Sequence, residues 1–446
     1  MVKIKDSHIP PGYKKTEVGV IPEEWEVKRL GECLAKPPKY GINAPSVAFD
    51  DSLPKYLRIT DITEDGRYST SEQVSVNDPN AENYFLQEGD IVFARTGASV
   101  GKSYLFNPKD GPIVFAGFLI CFTPAPLKLL ADYLAQFSQL KTYWNWVKSV
   151  SARSGQPGIN ASEYCSLLIP LPPLSEQRSI ARVLSDVDGL LEALDGLIEK
   201  KRALKTAAMQ QLLTGKKRLP GFGEGAGYKK TEVGVIPEDW EVKKLGELGV
   251  FLKGKGIKRD DVESDGEVPC IRYGEIYTRY ENSITDLESF VPKDVAASAQ
   301  PIRYGDILFA GSGETAEEIG KSVVYLGNED AVAGGDIVIL RTSNQNYPLF
   351  LGFLLNIDSV AKQKARFGQG DAVVHINADN LGQIKIPLPP LPEQRAIACV
   401  LSDMDAEIEA LEARREKVRQ LKQGMMQVLL TGKVRLVEEV PVGDKK

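Results

Sequence analysis

Long segments of this chain occur twice, and no other feature restricts its fold as strongly. Residues 12–32 read GYKKTEVGVIPEEWEVKRLGE and residues 227–247 read GYKKTEVGVIPEDWEVKKLGE, with differences at only two positions. A second pair of segments begins with IPLPPLSEQR at Ile169 and with IPLPPLPEQR at Ile386. A duplicated unit predicts two similar bodies related by a pseudo-two-fold axis. Such a chain suits a partner that is nearly two-fold, as duplex DNA is, or two copies of one partner.

The segments between the repeated motifs have diverged. The copies align only in patches from Cys33 to about Leu168 and from Leu248 to about Lys385. Different bodies on a preserved frame favour two recognition modules that read different things. Drift after a recent duplication is the alternative interpretation, but drift would also be expected to change the helices of the frame.

Composition limits the class of protein. The chain has 446 residues, enough for two to four domains with buried cores. It has no apolar run of about 18 residues, its N-terminus has no apolar signal core, and its five cysteines form no CxxC pair. We therefore expect a cytoplasmic protein that does not associate with a membrane. The formal net charge of −6 argues against indiscriminate coating of nucleic acid, but it permits a localised basic face.

Two long helices are predicted, one in each copy. The first begins at Ser175 or Glu176 and ends near Leu213, and the second begins at Pro392 and ends near Leu430. A proline-rich entry and a glycine just past the exit are typical helix boundaries. Each helix has about 38 residues and a length of about 57 Å at 1.5 Å per residue.

The apolar residues of these helices predict a coiled-coil seam, because they alternate at spacings of three and four. In the first helix the seam positions are Ile180, Val183, Val187, Leu190, Leu194, Leu197 and Leu204, with Leu184, Leu191 and Ile198 widening the stripe. Two such stripes related by a pseudo-two-fold axis are expected to pack on each other antiparallel.

Each diverged body is predicted to be α+β with strongly curved sheets, because short apolar runs are bounded by Gly, Asp and Pro. The motif GDI(V/L)FA, which begins at Gly89 and Gly305, indicates a turn that leads into a buried strand. Helical stretches are expected near Lys128–Val150 and Tyr347–Ala365.

The order of the repeated motifs resembles the specificity subunit of type I restriction-modification systems. GYKKTEVGVIPxxW, a diverged body, GDI(V/L)FA, (V/I)GKS, IPLPPLxEQR and a long helix ending in LLTG all occur twice, over nearly the whole chain. The resemblance implies two target-recognition domains that each read one half of a split double-stranded DNA target. It also implies docking of two methyltransferase subunits on the helical regions, with restriction subunits in the full complex. The chain itself would be non-catalytic.

The expected architecture is therefore α+β, with two pseudo-two-fold related α/β target-recognition domains separated by two long antiparallel coiled-coil helices. The N-terminal conserved segment would cover residues 1–32 and the first target-recognition domain 33–168. A central conserved region, 169–226, would hold the first helix and a flexible linker. The second target-recognition domain with its repeated lead-in would cover 227–385, and the C-terminal conserved region with its helix and tail 386–446.

Two glycine–lysine–serine segments, Gly101–Ser103 and Gly320–Ser322, invite a phosphate-loop interpretation. That pattern needs a glycine where Thr96 and Thr315 stand, and strand-like residues follow each segment where a helix should begin. Nucleotide hydrolysis is therefore disfavoured.

Other catalytic chemistry is disfavoured too. Methyl transfer to adenine would need an (Asp/Asn)-Pro-Pro-aromatic loop, and LPPL at Leu171–Leu174 and Leu388–Leu391 has neither the polar nor the aromatic residue. His8 and His375 stand near no cysteine or acidic pair, so we expect no metal and no cofactor. The alternatives left open are an NTPase or methyltransferase acting itself, and a protein-assembly scaffold without DNA binding.

Arginine, lysine and glutamine on exposed loops are the candidate DNA contacts, because they anchor phosphates and read bases. The candidates in the first body are Arg95, Lys102, Lys141, Lys148, Arg153 and Gln156. The candidates in the second body are Lys253, Lys255, Lys258, Arg259, Lys321, Lys362, Lys364, Arg366 and Gln369.

Four of these candidates rank highest because both copies keep them in otherwise diverged loops: Arg153, Gln156, Arg366 and Gln369. A residue shared by both bodies is expected to contact phosphate or the frame. The residues that discriminate bases should stand at unshared positions, which the sequence alone does not identify.

Overall fold

The computed structural model describes residues 9–152, 156–343, 345–370 and 373–436. These residues form two compact units: unit 1 comprises Met1–Asp195 with Ala413–Lys446, and unit 2 comprises Gly196–Glu412. Each unit therefore combines the body of one repeat with the final part of the long helix that belongs to the other repeat. His8 and Arg153 lie outside the described residues.

Unit 1 is built from short strands followed by helices. Its strands are β1 (Tyr13–Thr16), β2 (Gly19–Pro22), β3 (Glu26–Arg29), β4 (Lys39–Tyr40), β5 (Ser46–Ala48), β6 (Lys55–Leu57), β7 (Val74–Val76), β8 (Ile91–Ala94), β9 (Ser103–Leu105), β10 (Ile113–Phe115), β11 (Leu119–Phe122) and β12 (Leu168–Leu171). Its helices are α1 (Ala131–Phe137), α2 (Lys141–Ser151), α3 (Ala161–Cys165) and the first part of α4 (Leu174–Leu212).

Two four-stranded sheets form the recognition body of unit 1. Their strand orders are β10-β6-β7-β5 and β4-β11-β8-β9, with β10 and β6 parallel and the other pairs antiparallel. The apolar run that GDIVFA predicts is β8, whose four residues are all buried. Its Phe93 packs in an aromatic cluster, with ring centroids 5.5 Å from Phe122 and 5.1 Å from Tyr164. This cluster fixes the end of β8, from which the loops of the domain extend.

Unit 2 repeats this plan with additional strands and helices. Its strands are β13 (Tyr228–Thr231), β14 (Gly234–Pro237), β15 (Glu241–Lys244), β16 (Gly249–Lys253), β17 (Val268–Ile271), β18 (Ser283–Ile284), β19 (Ser289–Val291), β20 (Gln300–Ile302), β21 (Ile307–Ala310), β22 (Ser312–Gly313), β23 (Ser322–Tyr325), β24 (Ala331–Ala333), β25 (Ile337–Thr342), β26 (Val374–His375) and β27 (Lys385–Leu388). Its helices are α5 (Tyr273–Thr278), α6 (Lys293–Ser298), α7 (Pro348–Leu354), α8 (Asp358–Phe367), α9 (Ala378–Gly382) and the first part of α10 (Leu391–Leu429).

The sheets of unit 2 have the orders β16-β25-β21-β23-β18 and β19-β17-β24-β20, and β22 pairs with β26. The strands that correspond to unit 1 pair in the same way: β21 lies antiparallel to β25 as β8 does to β11, and β17 lies parallel to β24 as β6 does to β10. The repeat seen in the sequence is therefore a structural repeat, and the expected α+β class is confirmed.

The long helices α4 and α10 run antiparallel, as predicted. In unit 1, Lys422 pairs with Asp188 at 2.6 Å and Arg415 with Asp195 at 3.0 Å. In unit 2, Lys201 pairs with Glu407 at 2.6 Å, and Lys205 pairs with Asp405. Within each unit, residue numbers thus rise along one helix while they fall along the other. The observed bounds differ by one or two residues from the predicted ones.

The predicted seam is wrong in detail. Leu184, Leu191 and Ile198, which were expected only to widen the stripe, are at most 8% exposed, whereas Leu190 and Leu197 of the predicted seam are 40% and 39% exposed. Leu190 and Leu197 each stand one residue before a buried position, and neighbouring residues of an α-helix lie about 100° apart around its axis, at 3.6 residues per turn. These leucines of α4 therefore lie beside the covered face and stay partly uncovered.

Candidate nucleic-acid interface

A buried carboxylate anchors the frame of each unit. In unit 1, Trp25 donates its indole N–H to Oε2 of Glu176 at 3.0 Å, and Arg435 donates from Nε to Oε1 of the same carboxylate at 2.7 Å. In unit 2, Trp240 makes the 3.0 Å bond to Glu393, and Arg218 makes the ion pair at 2.5 Å. Both carboxylates are at most 1% exposed. The glutamate of PLPPLxEQR is therefore a structural residue, and its partner arginine follows the long helix of the opposite repeat.

The glutamine of the same motif is structural as well. Gln177 donates from Nε2 to the carbonyl oxygen of Pro172 at 2.9 Å, and its Oε1 accepts from the Leu130 N–H at 2.9 Å. Gln394 donates to Pro389 and accepts from Tyr347 at the same distances. Each glutamine joins the proline-rich turn to the recognition body of its own unit.

Arg95 follows β8 at an edge of unit 1 that is defined by Arg95 and its main-chain partners Phe118 and Ile159. The Arg95 N–H donates to the carbonyl oxygen of Phe118 at 3.0 Å, and the Arg95 carbonyl oxygen accepts from the Ile159 N–H at 2.9 Å. The guanidinium carbon lies 4.9 Å from the ring centroid of Tyr40. The hydroxyl oxygen of Tyr40 in turn accepts from the Ala161 N–H at 3.1 Å. The side chain of Arg95 therefore projects from a well-anchored backbone.

The corresponding edge of unit 2 has the same frame with different side chains. The Gly311 N–H donates to the carbonyl oxygen of Asp336 at 2.7 Å, and the Ile376 N–H donates to the Gly311 carbonyl oxygen at 3.0 Å. Next to Gly311, the hydroxyl of Ser312 lies 2.9 Å from Nδ1 of His375. His375 is exposed at the end of β26. Gly311 thus occupies the place of Arg95, and Asp336 that of Phe118.

Most of the candidate DNA contacts of unit 1 are accessible. Lys141 and Lys148 are exposed on α2, and Gln156 is exposed on the loop that leads to α3. A Cβ on Gly97 would lie 3.4 Å from Nε2 of Gln156, so this glutamine belongs to the same edge as Arg95. Lys102 is half-buried, and its ammonium already donates to the Ile62 carbonyl oxygen at 3.2 Å and pairs with a glutamate.

The candidates of unit 2 are exposed with two exceptions. The exposed ones are Lys253, Lys255, Lys258, Arg259, Lys362, Arg366 and Gln369. Lys321 is half-buried, which lowers the pKa of its ammonium, and it donates to the Tyr277 carbonyl oxygen at 3.3 Å. Like Lys102, it therefore already has a main-chain partner within its own unit.

The structure contradicts the expectation that Lys364 is an exposed candidate for DNA contact. It is 2% exposed, and its Nζ donates to the Gly320 carbonyl oxygen at 2.6 Å. Burial lowers the pKa of Lys364 to about 7. Lys364 lies four residues after the buried Val360 and hence on the inner face of α8, whereas Lys362 lies on the outer face. The sequence shows two lysines, but it does not show which face of the helix packs inward.

The basic loop after β16 is a strong electrostatic feature of unit 2. Its four cations are Lys253, Lys255, Lys258 and Arg259. Within the described residues, none of the four has a carboxylate oxygen within 4.0 Å. Cations without internal partners are available to neutralise phosphates.

Sequence reasoning missed Arg272, which follows β17 in unit 2. Its counterpart Arg58 is tied to Asp61 by an ion pair of 2.7 Å. Glu275, which stands where Asp61 does, pairs at 3.1 Å with Arg279, a basic residue one turn further along. In the described part of the chain Arg272 has no carboxylate partner, and its buried Nε has no hydrogen-bond acceptor. The signal was present in the sequence: Arg279 follows Glu275 by four residues and competes for it.

Other kinds of site find no support in the described residues. Ser103 and Ser322 begin strands β9 and β23, so neither glycine–lysine–serine segment leads into the helix that a phosphate loop requires. The described ranges contain no cluster of three His, Cys, Asp or Glu side chains that could hold a metal ion. None of the helices among them is long and apolar enough to span a bilayer.

Comparison with known proteins was made for the whole chain. The family model described as the type I restriction modification DNA specificity domain matches residues 22–200 and again residues 237–420. The type I restriction enzyme MjaX specificity subunit of Methanocaldococcus jannaschii is 30% identical over 458 residues, which cover 98% of this chain and 100% of the relative.

Two solved structures share the fold. The S subunit of a type I restriction-modification system from M. genitalium has a TM-score of 0.55 at 16% identity, over 91% of this chain and 96% of that one. A chain from a study of complex assembly and conformational transition of the type I R-M system has a TM-score of 0.53 at 17% identity, over 93% and 99%. The family model matches once in each repeat, and the similarity to the relative spans both chains. The chain therefore belongs to the type I restriction-modification DNA specificity family, and it is a specificity subunit with DNA-recognition domains.

Proposed function

We propose that unit 1 and unit 2 each read one half of a bipartite DNA target and that the chain catalyses no reaction itself. The observation that carries this proposal is the pair of matching edges at Arg95 and Gly311. Their main-chain hydrogen bonds are the same, whereas their side chains differ. A shared pattern of main-chain hydrogen bonds suits one kind of ligand, duplex DNA, and different side chains suit different base sequences.

The exposed cations support phosphate contact in both units. Unit 1 offers Lys141 and Lys148 on one helix, and unit 2 offers the loop Lys253–Arg259 together with Lys362 and Arg366 on α8. Lys102 and Lys321 have internal partners, so we propose that they support the loops and do not bind phosphate. Arg153, which is outside the described residues, stays a prediction.

We propose that methyltransferase and restriction subunits are the protein partners, with two methyltransferase subunits per chain. The structural neighbour described in terms of type I complex assembly supports such an assembly. The partly uncovered leucines of α4 offer apolar surface. The lead-in hairpin, which is β1–β2 in unit 1 and β13–β14 in unit 2, occurs once in each unit, so equivalent surfaces are offered twice. The free thiols in the described residues fit a reducing cytoplasm, where we propose that the complex acts.

The test is to express the chain with the methyltransferase subunit of its own system and to sequence the methylated bases of the host genome. We expect methylation at two short specified halves around an unspecified spacer, and no methylation when this chain is absent. Complex formation without any sequence preference would favour the scaffold alternative. Nucleotide hydrolysis or methyl transfer by the purified chain alone would contradict the non-catalytic role.

A further inference from the structure

We propose that Arg95 is a base-reading residue of unit 1 and that the half-site read by this unit contains a guanine, whose N7 and O6 accept from the Arg95 guanidinium. This inference rests on the proposed function, because it assumes that unit 1 binds duplex DNA. It goes further by assigning one side chain to one base and by distinguishing the two units.

The backbone of Arg95 is held on both sides. Its N–H donates to the carbonyl oxygen of Phe118, its carbonyl oxygen accepts from the Ile159 N–H, and the next residue, Thr96, is bridged to Gly158. The preceding strand β8 is fully buried. A base reader needs such support, because a side chain on a mobile backbone loses much of its binding free energy in becoming ordered.

The guanidinium of Arg95 lies over an aromatic ring and pairs with no carboxylate in the part of the chain that the structure describes. Its carbon lies 4.9 Å from the centroid of the Tyr40 ring, and Tyr40 is itself fixed by the hydrogen bond from Ala161. No carboxylate oxygen among the described residues lies within 4.0 Å of Arg95, and the side chain is half-exposed. A guanidinium held by cation–π attraction to a ring keeps its N–H donors for other partners. These donors have the fork geometry that pairs with O6 and N7 of guanine.

The difference between the units favours a base over a phosphate. The two edges share their main-chain hydrogen bonds, although Asp336 has a φ of +59° and a Cβ on Gly311 would lie 2.9 Å from the Asp336 carbonyl oxygen. A phosphate anchor on the shared part of the frame is expected in both units. At this position, however, unit 2 has Gly311, whose N–H and carbonyl oxygen make the equivalent hydrogen bonds. A cation that only one of two otherwise matching edges carries is suited to reading sequence.

The exposed aromatic residues beside Arg95 also favour a base contact over a phosphate contact. Phe118, whose carbonyl oxygen accepts from Arg95, is 57% exposed, and Tyr40 is 41% exposed. Exposed aromatic side chains beside an unpaired guanidinium suit a contact with base edges and thymine methyl groups better than a contact with phosphate. At the position of Phe118, unit 2 has Asp336, a carboxylate that would repel phosphate and can accept from the amino group of cytosine.

The experiment uses the complex of the full chain with its methyltransferase subunit and the target found by methylome sequencing. Each guanine of both half-sites is replaced in turn by 7-deazaguanine, which lacks the N7 acceptor, and by inosine, which keeps N7 and O6. For the wild type we expect one guanine of one half-site at which 7-deazaguanine weakens binding and inosine does not. For Arg95→Ala we expect affinity for the target to fall about 10- to 100-fold, with no further loss from 7-deazaguanine at that guanine.

Two variants serve as controls. Lys148→Ala removes an exposed cation of the same unit, and it should retain the 7-deazaguanine effect at full size. Arg95→Lys keeps the charge but not the fork, and it should lose discrimination at the guanine. Unchanged discrimination at the other bases of the same half-site verifies that unit 1 is folded in each variant.

The outcomes separate this inference from the proposed function. If Arg95→Ala weakens binding to all sequences equally and lowers the salt dependence, Arg95 holds a phosphate and the inference is wrong. It is also wrong if the variant still discriminates the guanine, or if no guanine in either half-site depends on Arg95. If the wild-type complex itself shows no sequence preference, the proposed function fails.

Discussion

The hydroxyl of Tyr13 donates a hydrogen bond of 2.9 Å to the carbonyl oxygen of Gly432, which lies 419 residues further along the chain. Gly432 has a φ of +71°, and a Cβ there would collide with the ring of Pro22. The end of α10 is therefore fitted closely onto the lead-in hairpin of unit 1. The pair Arg435 and Glu176 lies beside this contact and stabilises it.

We expect Arg435→Ala to destabilise unit 1 by about 3–5 kcal/mol, because it leaves the buried carboxylate of Glu176 without its cation. Hydrogen exchange followed by mass spectrometry should show faster exchange in residues 13–22 and unchanged exchange in residues 228–237. Arg218→Ala is the matched variant and should give the reverse pattern. Equal exchange in both hairpins would mean that these ion pairs do not support their own units.

Lys364 gives a pH dependence of known sign. Its pKa of about 7 in the folded chain lies below the ordinary value of 10.5, so unfolding takes up a proton between these two values. Stability should therefore rise with pH from about 7 upward, by as much as about 1.4 kcal/mol per pH unit from this residue.

Lys364→Met should be more stable than the wild type at pH 7, and its advantage should shrink as the pH rises to 9. Denaturant unfolding at several pH values measures both effects. Lys362→Met, on the exposed face of the same helix, should show no such trend. If the stability advantage of Lys364→Met did not change with pH, the cost of burying a charged ammonium at Lys364 would not be its cause.

The basic loop of unit 2 should contribute to the salt dependence of DNA binding. Replacing Lys253, Lys255 and Lys258 by alanine should lower affinity for all sequences and reduce the slope of log K against log salt by about one for each phosphate that is no longer neutralised. Lys293→Ala is the control, because that lysine is paired with Glu267 at 2.8 Å. If the triple variant kept the wild-type slope, residues other than these three lysines would neutralise the phosphates.

Arg58 and Arg272 occupy equivalent positions but should respond in opposite ways. Arg58→Met strands the buried Asp61 carboxylate and should cost about 1–3 kcal/mol of stability. Arg272→Met removes a buried donor that has no acceptor and should cost no stability. Because Arg272 has no carboxylate partner among the described residues, we expect Arg272→Met to lower DNA affinity about tenfold, in keeping with the loss of a charge-assisted hydrogen bond. Thermal unfolding and DNA titration of both variants distinguish the two roles.

Much of the frame was predictable from the sequence, because its signals are local. The proline-rich entry and the glycine exit define α4 and α10 to within two residues, and GDI(V/L)FA marks the buried strands β8 and β21. Which segments of the chain make up each unit could not be predicted. An apolar stripe shows that part of a helix must be covered, but it does not show which segment covers it, so the contribution of Leu429 and Leu430 to the core around Trp25 required coordinates.

In the candidate interface too, local features were predictable from the sequence, whereas features that depend on tertiary packing were not. Most of the candidate lysines are exposed, and their contact with DNA stays a prediction. Lys364 is buried, because the inward face of α8 depends on tertiary packing. Arg272 was missed because its availability depends on which arginine takes Glu275. Arg95 directly follows GDIVFA where Gly311 follows GDILFA, so the sequence already shows that this position is unshared. That both residues make the same main-chain hydrogen bonds required coordinates.

Those main-chain bonds have an evolutionary consequence. Peptide N–H and carbonyl groups hold the edge in both units, but the two units restrict their side chains differently. A Cβ on Gly311 would lie 2.9 Å from the carbonyl oxygen of Asp336, and Asp336 has a φ of +59°, a conformation that few residue types adopt. We therefore expect new target preferences to arise more readily through positions 95 and 118 of unit 1 than through positions 311 and 336 of unit 2.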